Sequence, residues 1–250
     1  MKLLFFFMLS MAFFSVGYAY EKPENISQEL WDSIAPYFLP EDHPLKPKMD
    51  KIFGKKTVTK NSKTVNRAGF YNSEPGKYSK VIVSKHPSLK GFVVKMYLDS
   101  NNQVNDGEKF RERIWGAEKI KSAMEAHSFG DVLKVPQKWI YPIQIFSDSG
   151  LFPKQFVLVA EDMYPYSYDK SLKMWKYKTT KRQLKAVFVI LTTVGLPDCS
   201  YAFNIPFCKD GKLAFLDTEQ WGLWPVHYQR MHRYLKGDRL TYWISLREQL

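Results

Sequence analysis

Cysteine is scarce in this chain: only Cys199 and Cys208 occur among 250 residues. That excludes the disulfide-dense scaffolds of small secreted domains. The two residues can form one disulfide or remain as two buried thiols, and the sequence leaves both open because geometry decides. The five histidines show no close pairing except His227 and His232, so no zinc signature is present. There is no G-x-S-x-G elbow, and neither cysteine sits in a protease context. Internal repeats and low-complexity tracts are missing too, which removes solenoids and linker-like segments.

A long apolar run occurs only at the beginning, MKLLFFFMLSMAFFSVGYAY, where Lys2 precedes an apolar core and Gly17 and Ala19 stand where a signal peptidase prefers small residues. It reads as a secretory leader over residues 1–19, cleaved after Ala19, with an uncleaved membrane anchor as the competing reading. The rest is then a secreted, periplasmic or lumenal globular protein. Hydrophobic residues make up 45% and aromatics 16%, enough for a packed core and against general disorder. The charge, 37 − 25 = +12, favours anionic partners and says nothing about fold.

Along the chain, residues 20–65 read as an extension with one helical pattern, Ser27 to Tyr37. KVIVS and GFVVKMYLD, joined by HPSLKG, read as a β-hairpin. EKFRERIWGAEKIKSAMEAHSFG follows as a helix, with Phe110, Ile114, Ala117 and Met124 on one face and Gly130 as its stop. Two β-like runs come next, VPQKWIYPIQIF and FVLVAEDM. SLKMWKYKTTKRQLKAVFVILTTVG reads as one amphipathic helix with a cationic start, ending at Gly195. NIPFC and KLAFLD then flank the turn Lys209-Asp210-Gly211, and the tail is helical in two pieces broken near Gly237.

The pattern predicts an α+β protein with a β-rich lobe at 66–163 and a helical lobe at 164–250. Its chemistry gathers at the second hairpin. Pairing its strands brings Asn204 and Asp217, 13 residues apart, to adjoining ends, where two oxygen ligands can converge on one hard cation; a turn residue at Asn204 and a cap at Asp217 before Trp221 is the plain alternative. Lys95 lies inside the buried-type run FVVKMY, an unusual place for an ammonium unless strand alternation points it to solvent.

This order of elements, with a lysine on the third strand and an Asn-to-Asp hairpin after a long helix, resembles the protein kinase-like superfamily over residues 68–222. The resemblance implies a reduced two-lobed fold in which ATP is held by Lys95 paired with a helix glutamate, and Mg²⁺ by Asn204 and Asp217. Glu118, the helix glutamate nearest the Ile114 side of the stripe, is the expected partner, and Asp198 of Leu196-Pro197-Asp198 the expected base. Three departures stand out. Asp198 has no His before it and lies six residues before Asn204, where the family has five. GFYNSEPG is not the family's glycine loop. Thr218 and Glu219 replace Phe-Gly after Asp217. Only 33 residues follow Asp217, too few for a protein kinase's substrate platform. Two functions are therefore expected: an exported ATP-dependent phosphotransferase acting on a hydroxyl, or a catalytically silent kinase-like module that recruits an anionic partner. The cationic run Lys170 to Lys185, interleaved with Trp175 and Tyr177, is a candidate surface for an anionic partner or membrane, with nucleic acid less favoured; a solvated face is the plain alternative.

Overall fold

The computed structural model describes residues 20–54, 58–71, 80–100, 104–144 and 153–248. The leader expected at 1–19 lies outside them. The protein is α+β. Three helices open it: α1 (Gln28–Ile34), capped by the Ser27 hydroxyl, α2 (Lys46–Phe53), and α3 (Ser62–Arg67), whose Asn61 and Thr64 form a reciprocal capping box. The sequence pattern predicts only the first.

Strands β1 (Ile82–Ser84) and β2 (Phe92–Met96) pair antiparallel, as the hairpin reading expects. After α4 (Asp106–Ala126) and the short β3 (Leu133–Lys134), strands β4 (Lys138–Pro142) and β5 (Phe156–Glu161) complete an antiparallel sheet of order β1-β2-β5-β4. Asp106 anchors α4 to the sheet: its carboxylate accepts the backbone N–H groups of Gln155 and Phe156, both at 2.8 Å. Trp31, Ile34, Phe38, Met49 and Phe53 of the first helices share one core with Ile140, Phe156 and Leu158 of the sheet. Residues 20–65 are thus part of the sheet's own packing, burying apolar surface at about 25 cal/mol per Å².

A second core lies behind the far half of α4, where Ile120, Ala123 and Met124 meet Leu184, Phe188 and Leu191. The single long helix expected at 171–195 is two helices. Helix α5 (Tyr168–Tyr177) ends at Lys178, and α6 (Lys181–Val194) restarts from Thr180, which forms a capping box with Gln183. A hydroxyl there satisfies helix-start N–H groups that an unbroken helix would bond internally, so the chain breaks. Gly195 then takes the left-handed conformation at φ 67° and ends α6. The second hairpin forms as expected. Cys208 N donates to Lys212 O at 2.9 Å, Gly211 turns at φ 81°, and β6 (Leu213–Ala214) pairs parallel with β3. After it come a 3-10 segment (Tyr228–Tyr234) and α7 (Asp238–Arg247), divided by Gly237.

Candidate functional site

The second hairpin is fastened from beneath. Trp175 Nε1 donates to Ile205 O at 2.9 Å, and Phe207 N donates to Ser171 Oγ at 3.0 Å, which ties the first arm to α5. Leu216 N donates to Asn204 O at 3.1 Å, so the two outer ends meet as the pairing argument requires. Above them, Lys95 on β2 is buried and its Nζ donates to Leu216 O at 2.9 Å. The early sheet and the late hairpin therefore face each other across one cleft. Asp198, on a 3-10 turn at Pro197–Ser200, joins them: its backbone oxygen accepts from Asn204 Nδ2 at 2.6 Å. Lys95, Asp198, Asn204 and Asp217 converge.

Glu118 is elsewhere. It is exposed and lines a groove of about 700 Å³ between α4, the Pro36–Phe38 turn and the start of β4. The residue on α4 that reaches the hairpin is Arg113, five positions earlier; at 100° per residue the two side chains leave the helix about 140° apart. The expected Lys95–Glu118 pair is accordingly absent among the described ion pairs. Arg113 is 5% exposed and ion-pairs through one nitrogen with Asp217 and through the other with Glu219, while Lys109 reaches the second oxygen of Glu219 at 2.8 Å. A cation on the helix holds the acidic groups that follow the hairpin, where the kinase-like pattern predicts an anion that holds the lysine.

Sequence reasoning missed a second cation, Lys138 on β4. It is buried, and its Nζ donates to Arg113 O at 3.1 Å and to the Thr218 hydroxyl, which in turn donates to Arg113 O. Gly116 lets this segment press against α4: a Cβ there would lie 1.9 Å from Thr218 O. Both missed residues carried a signal. Arg113 lies about 60° from Phe110 and beside Ala117 on the apolar stripe, nearer its centre than Glu118, and Lys138 shares a strand face with Ile140.

The charges act on one another. Burial, reinforced by Arg113, lowers the pKa of Lys95 to about 8, against partial support from Asp217 and Glu219. Burial, Lys95 and Arg113 push Lys138 well below the usual lysine range. Asp217 feels burial in the opposite sense, but Arg113, Lys95 and Lys138 outweigh it and hold its carboxyl low. Asp198 is raised by burial and by Asp217, and Arg230 opposes the rise. Cys199 and Cys208 are both free, buried thiols, and Cys199 Sγ donates to Asp217 O at 3.0 Å.

No family model and no curated protein matches the chain.

These residues do not fit a divalent cation at Asp217. One of its carboxylate oxygens is taken by a buried guanidinium, two ammonium groups add positive charge nearby, and the Asn204 amide nitrogen is committed to Asp198. Among the described residues no group of three or more His, Cys, Asp or Glu side chains gathers to hold a metal. Beside the hairpin lies a cavity of about 200 Å³, walled by Tyr166, Leu172, Ala202, Pro206 and Leu216.

Proposed function

We propose that this chain is an exported, kinase-like protein that acts as a catalytically silent binding module. The resemblance of its element order to kinase-like proteins and the meeting of Lys95 with the Asn204–Asp217 hairpin support the scaffold. One observation carries the silent reading: Arg113 holds Asp217 and Glu219 together. A phosphotransferase needs that aspartate to carry metal-bound phosphates. Here its charge is spent on the protein's own arginine, and Lys95 donates to a backbone carbonyl.

A second reading, an ATP-dependent phosphotransferase acting on a hydroxyl, draws on the convergence of Asp198, Asn204 and Asp217. There Asp198 would take the hydroxyl proton, aided by its raised pKa, and Lys95 would hold phosphate oxygens. It requires Arg113 to leave Asp217 first.

Thermal unfolding with ATP, alone and with Mg²⁺ or Mn²⁺, separates the two. A ligand at a hundred times its dissociation constant adds about 2.7 kcal/mol of stability. The silent module gives no metal-dependent shift and no transfer of labelled γ-phosphate. A shift that needs Mg²⁺, accompanied by label transfer that Asp198→Asn abolishes, would establish the enzyme instead. Export is tested separately, by sequencing the mature N-terminus, which is expected at Tyr20.

A further inference from the structure

The corner where α5 turns into α6 carries seven cations in sixteen residues: Lys170, Lys173, Lys176, Lys178, Lys181, Arg182 and Lys185. They are not equivalent. Arg182 is tied down, its guanidinium bonded to both oxygens of Asp131 and to Ser128 O. Among the described residues, none of the six lysines has an acidic partner. Five are exposed and Lys176 is half-buried.

The arrangement works against helix stability. Lys170, Lys173 and Lys176 follow at i, i+3 along α5, and Lys181 and Lys185 at i, i+4 along α6, so like charges are neighbours on each helix. Lys181 and Arg182 also open a helix with no acidic residue in its first turn, where the macrodipole is already positive. Three ammonium groups are nonetheless held in place by rings: Lys170 over Tyr166 at 3.7 Å, Lys181 over Tyr242 at 5.5 Å and Lys176 over Tyr177 at 5.8 Å. Tyr177 itself projects into solvent at the end of α5 (53% exposed), as does one further ring, Tyr168, at its start (59%).

We infer that the α5–α6 corner docks on an anionic lipid bilayer surface. The free cations are all lysines, compact point charges suited to the diffuse field of headgroups, while the one arginine, whose fork suits bidentate reading of phosphates and bases, is exposed but has that fork occupied by Asp131. None of the six lysines lines the groove beside α4 or the cavity beside the hairpin, so neither of these is a cationic groove that would track a nucleic-acid strand. The apolar side of α5 is used internally by Trp175, so contact is by charge, with Tyr168 and Tyr177 at headgroup level. This inference does not need the kinase-like reading: the six lysines lie outside the Lys95–Asp217 site, although Tyr166 and Tyr168 also wall the small cavity beside the hairpin.

The test is co-sedimentation of the full chain with vesicles of phosphatidylcholine alone and of phosphatidylcholine with a minority of phosphatidylglycerol. The difference between the two isolates the charge effect from any contribution of the apolar leader. Binding to the anionic vesicles should exceed that to the neutral ones and collapse as salt is raised. Lys170→Gln, Lys173→Gln, Lys178→Gln and Lys181→Gln combined should weaken it about five-fold per lysine, several hundred-fold together. A control with the same net charge, Lys48→Gln, Lys51→Gln, Lys60→Gln and Lys63→Gln combined, should bind as the parent does. Equal loss in both variants would reduce the effect to net charge and overturn the inference. So would no preference for anionic vesicles at low salt, or tighter binding to a single-stranded oligonucleotide than to the vesicles at matched salt.

Discussion

Two cationic clusters in this molecule are built on opposite terms. In the cleft, Lys95, Arg113 and Lys138 are buried, and each has a named partner: a carbonyl, two carboxylates, a hydroxyl. At the α5–α6 corner six lysines stand in or near solvent with no acidic partner among the described residues. Taking an ammonium or guanidinium out of water costs several kcal/mol unless a partner offsets it, whereas an exposed lysine costs almost nothing and gains almost nothing. The cleft cations are therefore part of the protein's own cohesion. Those at the corner remain free to act on something outside it.

The sharpest way to break the contrast is Arg113→Met. It keeps a long apolar stem for packing but leaves Asp217 and Glu219 without their shared cation. Removing one partner of a buried ion pair costs about 3–5 kcal/mol. Asp217 is 39% exposed, so water takes up part of its charge and the loss should fall near the low end, about 3 kcal/mol. Urea unfolding would measure it. A loss below about 1 kcal/mol would make the network ornamental and remove the main support for a silent cleft.

A pH series sharpens the same side of the comparison. Lys95 titrates at about 8 in the fold, because of burial and then Arg113, against an unperturbed value of 10.5. Between these values the unfolded chain holds more protons than the folded one, so stability rises with pH across that window. Below pH 8 both states carry the charge and the fold bears its full desolvation cost. Above 10.5 neither does. At 1.36 kcal/mol per unit the gain is at most about 3 kcal/mol. It should appear as the difference between the parent and Lys95→Met, which shares every other titrating group. Parallel profiles from pH 7.5 to 10.5 would place the Lys95 ammonium in a far more watery setting than its burial implies.

Local signals made much of the architecture legible from sequence. The Asp210-Gly211 turn fixed the second hairpin, the 3.6 period fixed α4, and Gly195 and Gly237 fixed two helix boundaries. Lys95 was legible only through the kinase-like resemblance, since strand alternation alone allows an ammonium in FVVKMY to point to solvent. What escaped depends on distant partners. The break before α6 arises from Thr180 capping a new helix inside a run of cations that reads as continuous. Glu118 was favoured because a kinase-like pattern leads one to look for an acid; Arg113 lay closer to the stripe, but its role depends on Asp217 and Glu219, more than a hundred residues later. Lys138 was hidden for the same reason, its partners being on α4 and beyond the hairpin. Helices α2 and α3 were missed because short segments carry little periodicity and owe their form to the sheet they cover.

The smallest expected effect has the opposite sign. Lys185→Gln removes one member of the Lys181–Lys185 like-charge pair within the first turns of α6, next to a positive helix end. Such pairs oppose a helix by about 0.2–0.5 kcal/mol, so this variant should be more stable than the parent by a few tenths at low ionic strength. Salt should erase the gain, because near 1 M the screening length falls to about 3 Å and exposed charges cease to feel one another. Urea unfolding of parent and variant in dilute and in concentrated salt would resolve both statements. A loss of stability in dilute salt would mean that Lys185 has an internal partner and belongs with the cleft cations, making the corner one more piece of cohesion rather than a surface held ready for a ligand.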